Sequence, residues 1–347
     1  MSDLNSLFGG FITDHLQTDQ PMPESLNTII NLAVLRLLDS EIIIEDTFTP
    51  RMELKAPRVT QPLASFEQTF AIDELTEAVK KDGFGPHFHN IIGLFGSIML
   101  QLTATEEQQA SVDQWLDEDH FGHFLMTDGG GASLAGWNTV LDTSEDQWQL
   151  TVDKKWGIEA HKLGFVMVVA RQPGKPFPLT FLLSPEKAQQ LSSEKIGNGY
   201  LDNAIQLGNV KGTVQVSRDD MLRKGGLGSV NRFLTLVRPR FVKSLMNHLV
   251  WLADNDRLEL DEQTSQNIAY INAIADKCLA DNMFSMHSVD RVLALKFASN
   301  ELLLNLVATG KLKQVSDQRD LLGFGKMEGS SYRCFFEVYS KQKRARR

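Results

Sequence analysis

Between Thr127 and Gly136 the chain reads Thr-Asp-Gly-Gly-Gly-Ala-Ser-Leu-Ala-Gly, a loop with enough small residues to let backbone approach a ligand closely. Three successive glycines remove the Cβ barrier to positive φ. Asp128 and Ser133 supply polar contacts, and the apolar run Phe124-Leu125-Met126 leads into the loop. A cofactor or substrate cradle and a plain flexible connection both satisfy this pattern. Other chemistry-bearing constellations are sparse. His87 with His89, and His120 with His123 beside Asp117, Glu118 and Asp119, lack a third partner at a recognised spacing. A metal needs three or four convergent ligands, so no metal site is expected. Neither a Gly-x-Ser-x-Gly elbow nor a Walker pattern occurs, and Gly225-Gly226-Leu227-Gly228 follows no βαβ pattern; it reads as the exit from a β domain. Cys278 and Cys334 stand far apart, which supports neither a disulfide framework nor a cysteine zinc site.

Composition bounds what these residues serve. A chain of 347 residues, 42% hydrophobic and 23% charged, can bury a large core. Its formal charge of −9 opposes nonspecific attraction to polyphosphate, so nucleic acid is not the expected partner. The N-terminus has no basic segment followed by an apolar core, so no export signal is expected and a cytoplasmic location is. The apolar stretch from Ile91 to Leu102 is interrupted by Gly93, Gly96, Ser97 and Gln101 and is too short to span a bilayer. The basic end, Lys341 to Arg347, reads as a solvated, disordered tail.

The elements that must position the loop change character twice. Leu26, Ile29, Ile30, Ala33, Val34 and Leu37 recur at helical spacing and predict one buried helix face. Prolines 50, 57 and 62 mark an irregular connection over 43–62, after which helical patterning resumes over 73–81 and 88–102. Thr105-Glu106-Glu107-Gln108 offers a helix cap with first-turn acids. From about Phe124, short β-branched and aromatic runs predict strands at 148–152, 165–170, 179–183 and 213–216. Helical pattern returns over 233–252, 262–284, 289–307 and 329–339. The order helices, strands, helices argues against a doubly wound parallel sheet. The expected class is α+β, with an N-terminal helical domain (1–122), a central antiparallel β-barrel or sheet domain (123–226) and a C-terminal four-helix bundle (227–347).

These pieces resemble the acyl-CoA dehydrogenases, flavoproteins of that same layout, from about Phe84 onward. Thr105 to Gln109 is similar to the family's Gly-Thr-Glu-Glu-Gln-Lys segment. Thr127 to Gly136, followed by Asn138-Thr139, is similar to its Thr-Glu-Pro-Gly-Ala-Gly-Ser-Asp-x-Ala-Gly motif with one residue missing. Asp153 to Ile158 resembles the Gly-x-Lys-x-Trp-Ile-Thr strand, Val216 to Leu222 the Val-Pro-x-x-Asn-Leu-Leu strand end, and Arg238-Pro239 sits where the family opens its first bundle helix. Arg319-Asp320 followed by Glu328-Gly329-Ser330 reproduces the spacing of the family's Arg-Asp-Ala and Tyr-Glu-Gly-Thr elements.

The resemblance implies a role for each matched residue. Glu328 would be the base that removes an α-proton from an acyl thioester while a β-hydride passes to the flavin of FAD; a desolvated carboxyl has the raised pKa this needs. Gly329 would let backbone N–H approach the thioester oxygen. Leu125, Met126 and Thr127 would meet the flavin's polar edge and Trp156, Gly157 and Ile158 its face. Ser133 would lie on the CoA or pantetheine side and Arg238 near the acyl entrance. The implied partners are an acyl-CoA or acyl-carrier-protein thioester, an electron-transferring flavoprotein, and further subunits of a homo- or hetero-oligomer, as in fatty acid metabolism.

The chain departs from the pattern around the cofactor. Gly157 and Glu159 stand where the family has an aromatic residue and a threonine. The Arg-x-x-Phe-Gly element that reaches the pyrophosphate is replaced by Asp254 to Asp261, with Arg257 the one cation there, and Gly310 to Lys313 is no close substitute for the Gln-x-Leu-Gly-Gly-x-Gly element at the adenine end. Three functions therefore stand: an FAD-dependent acyl-thioester dehydrogenase, one half of a heteromeric dehydrogenase whose partner supplies nucleotide-binding elements, or a noncatalytic relative that binds acyl thioesters or a protein.

Overall fold

The computed structural model describes residues 10–38, 67–131, 134–144, 147–175, 177–201, 205–222, 227–281 and 285–345. Ser133, the connection over 43–62, Gly225-Gly226, Met283-Phe284 and Arg346-Arg347 fall outside the described residues. Those up to 91 and from 234 onward form a helical unit, and those from 92 to 233 form a second unit.

Helices come first: α1 (Gly10–Thr13), α2 (Glu24–Leu38), α3 (Glu67–Asp82), α4 (Phe88–Thr103) and α5 (Glu106–Asp117). Then come β1 (Gly122–Leu125), β2 (Val140–Asp142), β3 (Trp148–Ile158), β4 (Phe165–Ala170), β5 (Leu179–Leu183), the single turn α6 (Pro185–Ala188), β6 (Ser192–Tyr200) and β7 (Ile205–Val216). The chain closes with α7 (Leu227–Asp254), α8 (Glu262–Ala280), α9 (Met286–Ala308), α10 (Val315–Phe324) and α11 (Ser331–Ala345).

Local signals set several of these boundaries. Thr105 forms a full capping box with Gln108 at the start of α5, Asp261 caps α8 by accepting the Thr264 N–H at 2.7 Å, and Ser285 caps α9. On α2, Leu26, Ile30, Ala33 and Val34 are buried as expected, whereas Ile29 and Leu37 are only half-buried at the edges of that stripe. Two expectations are corrected. Arg238-Pro239 lies inside α7 rather than at a helix start. Packing there outweighs the lost hydrogen bond at Pro239, since Val237, Phe241, Val242 and Leu245 are fully buried. The basic tail is helical as far as Ala345, and Lys341 pairs with Asp290 of α9. Helix α10 was not anticipated; polar Asp317 and Asp320 are buried alongside Leu321 and Phe324, which erases an apolar stripe.

In the helical unit the core centres on Phe84, Phe88, Phe241 and Phe324, with Phe84 5.1 Å from Phe88 and 5.3 Å from Phe324 between ring centroids. His248 stacks on Trp251 and accepts the Phe84 N–H at 3.3 Å. Desolvation, followed by the charge of Arg257, pushes its imidazole down to about 3, so it is neutral.

In the second unit, β1-β4-β5 form one sheet and β2-β3-β7-β6 another. Pairing is antiparallel except between β1 and β4, which run parallel. Strand β3 alternates buried and exposed residues in its first half, while β4 is buried throughout as a continuous apolar run. Leu150, Val152, Val166, Val168, Phe181 and Val214 make up much of the core these strands share. The register of β3 on β7 shifts between Lys154 and Gly157, and the bulge holds Trp156 at φ 63°.

Candidate active site

Glu328 sits in the turn between α10 and α11, three residues before Ser331 opens the latter helix, and so is not the first residue of that helix. Its φ is 56° and that of Gly329 is 121°, two successive left-handed positions of which the first is unusual for a glutamate. Such strain persists only where neighbours fix the backbone. Three side chains do so. Arg238 Nε donates to the Glu328 carbonyl at 2.6 Å, Asn300 Nδ2 to the Gly329 carbonyl at 3.0 Å, and Lys296 Nζ to the Phe324 carbonyl at 3.3 Å. A Cβ on residue 329 would stand 3.0 Å from Cys334 Sγ and 3.1 Å from Arg238 Nη2, so any other residue there would have to push these neighbours back as well as adopt a strained backbone.

Glu328 is half-buried, and burial raises its carboxyl above the usual carboxylate range, opposed by the charges of Arg238 and then Lys296. On the next helix Glu337 goes the other way. Burial would raise it too, but Arg333, which donates to it, and Arg238 hold it below its ordinary value. One of these two carboxyls is therefore poised to gain a proton and the other to stay ionised. Arg238, expected at the acyl entrance, is 7% exposed and lies on the Glu328 carbonyl.

The glycine loop of the second unit folds around Asp128. Its Oδ1 accepts the N–H groups of Gly130 at 2.8 Å and Asn138 at 2.7 Å, and its Oδ2 accepts the Thr139 N–H at 3.0 Å and Lys154 Nζ at 3.2 Å. Burial would raise the Asp128 pKa, but these donors outweigh it and hold the carboxylate low. Asp128 thus turns both carboxylate oxygens to the loop and to Lys154. The glycines serve the same closure: a Cβ at Gly130 would stand 2.0 Å from the Gly136 carbonyl oxygen, and one at Gly129 2.2 Å from Asp153 Oδ2.

Lys154, absent from the expected site residues, is 1% exposed and lies 4.5 Å over the Trp137 ring. Its Nζ donates to the Met126 carbonyl at 3.0 Å, and burial pushes it down to about 8 against the pull of Asp128. Leu125 turns its side chain into the core, at 3% exposure. Thr127 is exposed, with its carbonyl on the Lys155 N–H and its hydroxyl unpartnered among the described residues. Trp156 is 59% exposed on its bulge, Gly157 is buried 2.6 Å (as measured from a notional Cβ) from Leu125 Cδ2, and Ile158 is half-buried. Glu159, also at positive φ, holds the Gln206 N–H at 2.7 Å with its carboxylate.

Arg257 is engaged within its own chain. It binds Asp317 through two nitrogens and lies 5.3 Å over Trp251. The histidine pairs do not converge: His87 pairs with Asp82 at 3.0 Å, and no group of three or more metal-ligating side chains occurs among the described residues.

No family model and no curated protein matches the sequence. Solved structures match the fold. Butyryl-CoA dehydrogenase of Megasphaera elsdenii superposes with TM-score 0.60 at 14% identity, over 79% of this chain and 81% of that one. The fold is that of the acyl-CoA dehydrogenases. Glutaryl-CoA dehydrogenase of Mycobacterium smegmatis in complex with FADH2 aligns with TM-score 0.53 and 12% identity over 96% and 97%. The prolyl acyl carrier protein oxidase AnaB aligns with TM-score 0.60 and 13% identity over 98% of each chain. The acyl-CoA dehydrogenase fold accounts for the order of elements seen here, with the strands from 122 to 216 enclosed between helices in sequence.

Proposed function

We propose that this chain is a flavin-dependent oxidoreductase that removes an α-proton and a β-hydride from an acyl thioester carried on CoA or on an acyl carrier protein. The observation that carries the reading is Glu328: a carboxyl with raised pKa, in a strained turn whose backbone is gripped by Arg238 and Asn300. Strain maintained by dedicated donors is how a reacting group is held in one place. A raised pKa brings the carboxylate closer to a thioester-polarised α-carbon acid, which lets it accept that proton.

FAD, when bound, would supply the hydride acceptor. Thr127 and the Met126 and Leu125 backbone suit its polar edge, because the Thr127 hydroxyl is unpartnered among the described residues and Lys154 already fixes the Met126 carbonyl. Trp156 offers an exposed indole, with Gly157 and Ile158 beside it. Ser133 is assigned to the CoA side by resemblance alone. Electrons would leave to an electron-transferring flavoprotein or to oxygen.

A second reading is favoured by Arg257. With its guanidinium held by Asp317, it is not the free cation a pyrophosphate needs, and a paralogous partner subunit would provide that contact. Absorbance of the purified protein between about 350 and 500 nm separates the two readings: a yellow protein supports the first, and colour that appears only on co-expression with a neighbouring paralogue supports the second. Glu328→Gln tests the chemistry. Flavin content stays, and anaerobic bleaching by acyl-CoA and acyl-carrier-protein thioesters slows by roughly 10²–10⁴-fold. Bleaching at the wild-type rate would remove Glu328 from the mechanism.

A further inference from the structure

Lys296 is fully buried in the helical unit, in the apolar run Val292-Leu293-Ala294-Leu295-Lys296-Phe297-Ala298 of α9. Its Nζ donates to Asn300 Oδ1, one helical turn on, and to the Phe324 carbonyl at 3.3 Å; it also lies 5.4 Å over the Phe241 ring. Asn300, itself fully buried, turns its Nδ2 to the Gly329 carbonyl at 3.0 Å. One amine thus reaches both ends of the turn that carries Glu328: the last carbonyl of α10 directly, and the carbonyl after Glu328 through Asn300.

An ammonium in this place is costly to fold. Among the described residues no carboxylate is hydrogen-bonded to it, and a buried cation without a bonded anion is among the more destabilising features a core can hold. Methionine would fill the space without that cost. The charged and titratable groups acting on the amine are Cys334 of α11, Arg238 of α7 and Glu328 of the turn; those acting on Glu328 are Arg238 and Lys296. Arg333 and Glu337 of α11 pair with each other. Burial pushes the Lys296 amine down to about 7; Cys334 and then Glu328 act to keep its proton on, and Arg238 acts against it.

We infer that Lys296 is a positioning residue for Glu328: with Asn300 it holds the 324–329 turn in its left-handed path, its ammonium being one of the charges that act on that carboxyl. The catalytic consequence rests on Glu328 being the base; the holding and the electrostatic coupling do not.

The test uses the full chain with 13C-labelled glutamate, the Glu328 carboxyl signal being assigned by its loss in Glu328→Gln. In Lys296→Met the Glu328 titration moves upward, because the nearby positive charge is gone. Amide hydrogen exchange over residues 325–330 accelerates about tenfold, the equivalent of one hydrogen bond of typical net strength. The acid limb of the turnover pH profile moves in the same direction as the carboxyl titration. A folded Lys296→Met protein whose Glu328 titration is unmoved overturns the coupling, and unchanged exchange over 325–330 overturns the holding. If Lys296→Met does not fold, Asn300→Ala carries the holding test: it cuts the link to Gly329, and protection there that equals wild type rejects the claim. Full turnover by Glu328→Gln would remove the base assignment while leaving the titration result to stand or fall by itself.

Discussion

Gly329→Ala probes the site through backbone alone. At φ 121° an alanine lies outside even the small left-handed basin, at a cost of about 1–3 kcal/mol. Its methyl would stand 3.0 Å from Cys334 Sγ and 3.1 Å from Arg238 Nη2. Cys334 is fully buried, and Arg238 cannot retreat without stretching its 2.6 Å bond to the Glu328 carbonyl, so overpacking adds about 1–3 kcal/mol. The total is roughly 2–6 kcal/mol. Gly310→Ala is the internal control: in the same unit, at φ 69°, it follows α9 with nothing within 4 Å of the added Cβ, and carries only the left-handed cost of about 1–2 kcal/mol. Thermal unfolding reads both, each kcal/mol moving Tm by roughly 2–4 °C for a unit of 150–250 residues. Gly329→Ala should fall clearly further than Gly310→Ala and should lose thioester-dependent turnover, which the control keeps. Equal losses in Tm would refute the reasoning that Arg238 and Cys334 close over this position.

Other outcomes follow from the buried charges. Asp128→Asn removes the anion from under Lys154 and sets an amide against three N–H donors, a loss of about 3–5 kcal/mol for breaking a buried pair; Asp128→Asn/Lys154→Met should recover part of it, and a single variant as stable as wild type would contradict the pairing. His248 titrates at about 3 when folded against 6.5 as the ordinary value, so between those pH values the unfolded chain binds a proton the folded chain does not. Its contribution to stability therefore rises with pH across that window and is complete above it. His248→Phe should flatten this part of the acid limb in pH-dependent unfolding, and an unchanged slope would show that the imidazole is protonated in the fold. The Glu328→Gln and Lys296→Met experiments complete the set.

The order helices, strands, helices and the cap at Thr105 were legible in the sequence because the patterns that carry them are local. Thr105 with Gln108, and the apolar runs at 165–170 and 179–183, formed as read. Strand β6, Ser192–Tyr200, was not legible: its polar, glycine-containing sequence becomes a strand through its partner β7. Helix α10 was missed for a related reason, since Asp317 is buried against Arg257, sixty residues earlier in sequence, and no local pattern announces that pair. Within the candidate site, the glutamate and glycine were singled out by their resemblance to a family motif, whereas the donors that hold their carbonyls come from α7 and α9. Lys296 did leave one trace, a single charge inside an otherwise apolar helical run. That trace reads as an error in patterning until the turn it reaches is known.

The two loops solve the same problem with opposite electrostatics. In the second unit, a loop of glycines closes on the Asp128 carboxylate, and the buried cation Lys154 is bonded to it; the result is a neutral pair whose outward product is a fixed Met126 carbonyl and an exposed Thr127. In the helical unit, cations hold backbone carbonyls and leave the Glu328 carboxylate without a bonded partner of its own among the described residues. An ion pair there would fix the side chain but drag its pKa down by stabilising the charged form, and would take away the basicity the proposed reaction needs. Spending Arg238 and Lys296 on carbonyls instead fixes the turn while their charges, acting at longer range, only moderate the rise that burial imposes. Replacing Arg238 by a residue that bonds the carboxylate itself would therefore be the more damaging change for a base than replacing it by one that bonds nothing.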